Sequence, residues 1–157
     1  MKKKFMRAAV AAVGLGLAAG AVAQMTAEDM IKTRQSGYTY MSWNLGIIKS
    51  LAVDGAAPYD QARVARAADA IAGIANSNMG ELYAPGTDKG TGWKPTRLDP
   101  SFFDELDKVG EIAINFVEQA NRMQEVAHSG DKQAVAAQFR ELAGSCKACH
   151  DNYRLPN

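Results

Sequence analysis

Four stretches of this chain repeat apolar residues in alternating steps of three and four, the spacing that gathers them on one face of an α-helix. The first stripe is Arg34, Tyr38, Met41, Leu45, Ile48 and Ala52. Thr26 fits its N-cap, Glu28 and Asp29 fall in the first turn where the helix dipole favours anions, and Asp54-Gly55 ends it. The second stripe is Val64, Ala67, Ile71 and Ile74, with Pro58 near its start and residues 76–80 closing it. The third is Phe102, Leu106, Val109, Ala113, Phe116, Ala120 and Met123, opened by Asp99-Pro100 as N-cap and first helical residue. The fourth is Val135, Phe139, Leu142, Cys146, Cys149 and Tyr153, set off by Gly130-Asp131 and followed by Pro156.

Short connections join the first helix to the second and the third to the fourth, which makes each pair antiparallel. Connection 79–98 is longer and rich in Gly, Pro and Thr, and little of the chain reads as strand. The pattern predicts an all-α fold, an antiparallel four-helix bundle with a ligand held between the helices. A loop of that length is usually functional, and it is expected to pack beside the ligand.

The N-terminus has a separate character. Lys2, Lys3, Lys4 and Arg7 precede an apolar run from Ala8 to Ala18 that is too short to span a bilayer. Ala21-Val22-Ala23 fits a cleavage site, so residues 1–23 read as a secretory signal and residues 24–157 as the bundle domain. An uncleaved membrane helix is the alternative. Removing the signal removes four cations and takes the formal charge from +1 to −3. No basic stripe remains to favour nucleic acid, and the mature protein is expected in the periplasm with no membrane attachment.

The chemistry is concentrated in Cys146-Lys147-Ala148-Cys149-His150, the C-x-x-C-H attachment pattern of a c-type haem. Two thiols add across the two vinyl groups of the rigid porphyrin, and the neighbouring imidazole becomes an axial ligand. One covalent haem c per chain is predicted, with His150 on the metal. Such attachment is usually completed outside the bacterial inner membrane, so the motif and the signal support each other. C-x-x-C also fits a redox disulfide or half of a zinc site. Zinc needs about four ligands, and of the two Cys and two His here, His128 has no partner at zinc spacing. A redox dithiol is expected after a strand, and no strand pattern precedes Cys146.

Other residues carry two readings each. Arg34 on an inward stripe needs an anionic partner. A haem propionate would match its fork, and Asp29 or Asp69 is the alternative. Tyr38 is either a steric gate over the iron or a core aromatic. Met41, one turn on, is either a sixth iron ligand or core filling. Arg154 lies four residues after His150 and would share its helix face, or it complements the helix dipole. His128 is expected to cap the third helix. Phe102, Phe103, Phe116 and Phe139 are candidates for packing on the haem or in the plain core. Ile31, Trp43, Ile47 and Leu51 give the first helix a second apolar side, which a second subunit could cover; a longer bundle seam with no dimer is the alternative.

Residues 24–157 as a whole resemble the cytochrome c prime family. The carriers are Lys32-Thr33-Arg34-Gln35-Ser36, Ala57-Pro58-Tyr59, Pro85-Gly86-Thr87, and the run Gly144-Ser145-Cys146-Lys147-Ala148-Cys149-His150-Asp151-Asn152-Tyr153-Arg154. The resemblance implies a five-coordinate, high-spin iron with His150 as its only protein ligand. The distal face would be closed by a first-helix side chain, here Tyr38. It implies binding of NO and CO with discrimination against O2, and electron transfer to a redox partner the sequence does not name. It places Arg34 and Gln35 at a propionate and Arg154 over the proximal imidazole, and it implies antiparallel homodimers through the first two helices, some dissociating on ligand binding. Thr91 and Gly92 are candidates for the haem edge, where Trp93-Lys94-Pro95-Thr96-Arg97-Leu98 departs from the commoner family pattern. The runner-up function is low-spin electron transfer with Met41 as sixth ligand. Enzymatic turnover is not expected, because no histidine falls on an inward stripe to serve as distal acid or base.

Overall fold

Thr26 starts the first helix by accepting a hydrogen bond from the Asp29 amide at 3.1 Å. The computed structural model describes residues 25–156, so the predicted signal segment and its cleavage site lie outside the described residues. Helix α1 (Ala27–Ile48) runs into a π-helical turn, Lys49–Val53, clasped by the Lys49–Asp54 ion pair at 2.6 Å. A π turn adds a residue to the winding. It carries the neighbours Leu51 and Ala52, both buried. Helix α2 (Gln61–Ala75) is capped by Asp60, whose side chain accepts from the Arg63 amide at 2.9 Å. Helices α3 (Leu106–Ser129) and α4 (Lys132–Tyr153) are joined through Gly130 at φ +81° and Asp131, which caps α4 by accepting from the Gln133 and Ala134 amides.

The four helices pack in chain order, α1 on α2, α2 on α3 and α3 on α4, and α4 meets the π turn rather than the length of α1. The main core joins Ile48, Val64, Met123, Val135 and Leu142 with a run of alanines, among them Ala67, Ala68, Ala120 and Ala127. Small side chains let these helices approach closely, and burial of the larger ones drives the packing. Met41 belongs to this core at 7 % exposure, as the core-filling reading has it. Phe116 and Phe139 pack against the same cluster.

A second apolar cluster lies where α4 ends. Leu98, Phe102 and Tyr153 form it, with Tyr83, Phe103, Val109, Ile112 and Cys149 packed against them half-buried. The structure changes the expected start of the third helix. Asp99 and Pro100 do cap a helical turn, but it is the 3-10 turn Pro100–Phe103, and α3 begins only at Leu106. Phe102 and Leu106 are four residues apart, so the stripe reads through a break in the backbone. Phe102 is buried while Leu106 is 59 % exposed.

The second side of α1 also differs from expectation. Ile31 and Leu51 are buried within their own chain, Ile31 under the long loop, where Gly90 comes close to it. The exposed apolar face is instead Tyr40 and Trp43, stacked with ring centroids 5.6 Å apart, with Trp93 beside them. No described helix is long and apolar enough to cross a membrane.

His128 sits in the last turn of α3, and its ring reaches α2: Nε2 is 2.8 Å from Asp69 Oδ1, which also accepts from Gln124 Nε2 at 2.9 Å. The hydrogen bonds from Gln124 and His128 hold the Asp69 carboxyl below its ordinary value. A depressed carboxyl pKa stabilises the fold above the unfolded-state value, and that stability is lost as pH falls through the folded-state value. Asp69→Asn should therefore lower the thermal midpoint near neutral pH and leave it unchanged in acid, where the carboxyl is protonated in both states. An equal deficit at both pH values in thermal unfolding would contradict the assignment.

Candidate haem site

Cys146 and Cys149 lie one turn apart in the last third of α4, free and half-buried. Burial pushes both thiols up, more than the Ser145 contact pulls Cys146 down. A thiol held protonated is a poor nucleophile for disulfide exchange. No group of three or more His, Cys, Asp or Glu among the described residues could hold a metal, so the zinc reading has no ligand set. Burial also lowers His150, with Arg154 and Arg97 pushing the same way and Asp151 opposing. A neutral imidazole is the form that can donate a lone pair.

Arg154 reaches this environment by a different route from the one expected. Helix α4 ends at Tyr153, and Arg154 is extended, bridged antiparallel to Leu98. It does not share a helix face with His150, although its charge is felt there. Arg97, which sequence reasoning passed over, is a second cation in that field and ties down the tail by donating to the Leu155 carbonyl at 2.7 Å.

On α1, Arg34 is 4 % exposed. Its guanidinium donates to the Leu82 carbonyl at 3.2 Å, to Thr87 Oγ1 and Thr96 Oγ1 at 2.8 Å each, and to the Thr87 carbonyl. All are neutral oxygens of the long loop, and no ion pair to Arg34 occurs among the described residues. The alternatives Asp29 and Asp69 are engaged elsewhere, with Thr26 and with Gln124 and His128. Gln35 likewise turns to the loop. Its Oε1 accepts from the Trp93 amide at 2.8 Å and the Lys94 amide, and its Nε2 donates to the Lys94 carbonyl at 2.9 Å. Gly92 fits because a Cβ there would stand 2.6 Å from the Lys32 backbone nitrogen. Thr91 is exposed and bridges to Pro95. Gly92 thus lies where the loop docks on α1, and Thr91 lies beside it within the loop.

Tyr38 follows one turn after Arg34. It is 41 % exposed, yet desolvation raises its hydroxyl pKa, with the thiols of Cys149 and Cys146 adding to the rise. Tyr83 in the loop donates its hydroxyl to that of Tyr38 at 2.9 Å. Tyr83 and Thr87 were not singled out from the sequence individually. The run Pro85-Gly86-Thr87 was their nearest signal.

These features suit a porphyrin on the chemistry of the chain's own groups. Two thiols one helical turn apart match two vinyl groups on a rigid ring. A half-buried aromatic and aliphatic cluster that includes Cys149 offers an apolar contact surface. A buried guanidinium with only neutral protein acceptors is suited to a carboxylate tail.

Comparison with known proteins agrees with this reading. The family model described as Cytochrome C' matches residues 29–154. The cytochrome c' of Allochromatium vinosum is 45% identical over 98% of this chain and 99% of its own. A solved cytochrome c' described as having an unusual ligand-controlled dimer dissociation superposes with a TM-score of 0.80 at 46% identity, covering 85% of this chain and 100% of its own. The cytochrome c prime of Alcaligenes xylosoxidans, solved as a carbon monoxide-bound variant, superposes with a TM-score of 0.74 at 27% identity, covering 83% of this chain and 98% of its own; another variant is solved with nitric oxide. The chain belongs to the cytochrome c' family of four-helix proteins with covalently bound haem c.

Proposed function

We propose that this chain is an exported periplasmic haem protein that binds NO and CO at a five-coordinate iron, guarded on its distal face by Tyr38, and that it also transfers single electrons. Bound haem c supplies an iron with an open coordination position and a one-electron couple. Cys146 and Cys149 hold the group by thioether bonds, and His150 donates the proximal imidazole. Arg154 and Arg97 place positive charge near that imidazole, which tempers its donation to the metal. Arg34 pairs with a propionate while keeping its loop partners, and Gln35, Thr91 and Gly92 keep the loop seated on α1. Tyr38 crowds the distal side, so a diatomic must displace it. The crowding at Tyr38 is what disfavours O2 in this reading. The observation that carries this reading is that Tyr83, hydrogen-bonded to Tyr38 of α1, stacks on Phe102 in the same apolar cluster against which Cys149 of α4 packs.

The solved relatives with CO and NO support the ligand class, and the one with ligand-controlled dimer dissociation supports assembly as a homodimer, for which we propose a face on α1 and α2. The exposed stack of Tyr40 and Trp43 suits such a face. The runner-up, low-spin electron transfer through Met41, would need that side chain to leave the main core. Catalytic turnover is not proposed. The chain's two histidines are His150 and His128, and the latter is engaged with Asp69.

The deciding experiment is the visible spectrum of the reduced protein before and after CO. A broad high-spin Soret band that sharpens with CO is expected, and a sharp low-spin spectrum indifferent to CO would restore Met41 ligation. Tyr38→Ala should speed CO association on the order of tenfold or more, about 1.4 kcal/mol off the barrier, in stopped-flow mixing. Equal rates would remove the gate. Sedimentation should show a dimer that Trp43→Arg converts to monomer; a variant as dimeric as wild type would move the interface elsewhere.

A further inference from the structure

Tyr83 is framed by its neighbours, whereas Tyr38 is exposed over much of its surface. Tyr83 leaves the loop with its ring held on both faces. Phe102 stacks on it with centroids 4.7 Å apart and planes 18° from parallel, and the Arg34 guanidinium lies 4.6 Å from the ring centroid. Arg34 is itself fixed by its loop oxygens, and Phe102 is braced edge-on by Phe103 and Tyr153. Tyr38 has no such frame. It is 41 % exposed, and its one side-chain hydrogen bond among the described residues comes from Tyr83 at 2.9 Å.

We infer that Tyr83 is the positioning residue of the distal gate, a latch whose hydroxyl holds Tyr38 over the ligand site and so sets the barrier that every diatomic must overcome. This rests on the reading of Tyr38 as the gate. When Tyr38 swings aside, its bond from Tyr83 breaks, and the Tyr83 hydroxyl is left in a desolvated place without its acceptor. That hydroxyl stays protonated, since burial and the neighbouring Tyr38 push it well above its ordinary value, so the latch is a donor at all working pH values. Neither CO nor NO is a strong enough acceptor to replace the lost partner. The cost is therefore the same for CO and NO, and it slows both alike.

The test is CO association with the reduced holoprotein, measured for wild type, Tyr83→Phe, Tyr38→Phe and the double variant, with Tyr38→Ala beside them. Tyr83→Phe keeps the ring, its stack on Phe102 and its contact with Arg34, and removes only the hydroxyl. It should speed association about threefold to tenfold, the range for one hydrogen bond. Tyr38→Phe should match it, and the double variant should be no faster than either single one, because both delete the same bond. Ultraviolet resonance Raman should show the Tyr38 hydroxyl losing its donor in Tyr83→Phe, a change that a purely structural role would not produce. If Tyr38→Ala is fast while Tyr83→Phe matches wild type, the gate stands and the latch is overturned. Additive effects in the double variant overturn the latch as well. If Tyr38→Ala itself matches wild type, the gate reading fails, and the latch with it.

Discussion

A guanidinium that is 4 % exposed must recover in hydrogen bonds what it loses in hydration. Arg34 does so by drawing Leu82, Thr87 and Thr96 around itself, residues 48 to 62 positions away along the chain. Burial pulls its pKa down, and the surrounding tyrosines and Asp88 oppose that pull. An arginine remains charged through such shifts. The long loop therefore folds around a fixed positive charge, and what the loop carries is positioned by it. Tyr83 lies against the guanidinium, and its hydroxyl donates to that of Tyr38. That charge acts together with the Gln35, Ser36 and Lys32 contacts that also seat the connection between α2 and α3 on α1. With these in place, the loop becomes the wall of the site.

The two ends of the bundle are built for different tasks. At the end holding the α1–α2 and α3–α4 connections, alanines and the π turn let helices close on one another, and α4 seals against Leu51 and its neighbours. At the other end the Phe102 cluster, Tyr83 of the loop and Cys149 of α4 come together. A fully packed bundle would need large side chains there. The sequence instead places cysteines, tyrosines and a buried cation, groups suited to a large flat apolar partner with charged tails. The fold and the cofactor are complementary in this sense.

Much of this was legible in the sequence because it is local. The helices follow from stripes spaced three and four apart, the caps at Thr26 and Asp131 from residue type beside the first turn, and the attachment site from five consecutive residues. The errors fall where local spacing misleads. Phe102 and Leu106 keep helical phase across the break at Asp104, so the start of α3 was read early. The π turn is a one-residue insertion that no apolar stripe signals, and it turns Leu51, read as part of a second apolar side, into the main core. The partners of Arg34 and Gln35, and the roles of Tyr83 and Arg97, rest on contacts between distant residues of neutral or common type. No spacing rule reaches them.

The claim that a buried charge organises the distal wall is tested most directly by hydrogen–deuterium exchange of the holoprotein, comparing wild type with Arg34→Met. The account predicts faster exchange confined to residues 83–96 and the neighbouring turns of α1, with the amides of α2 and α3 in the main core as protected as before. Unchanged protection of the loop, or a uniform loss across all four helices, would contradict it.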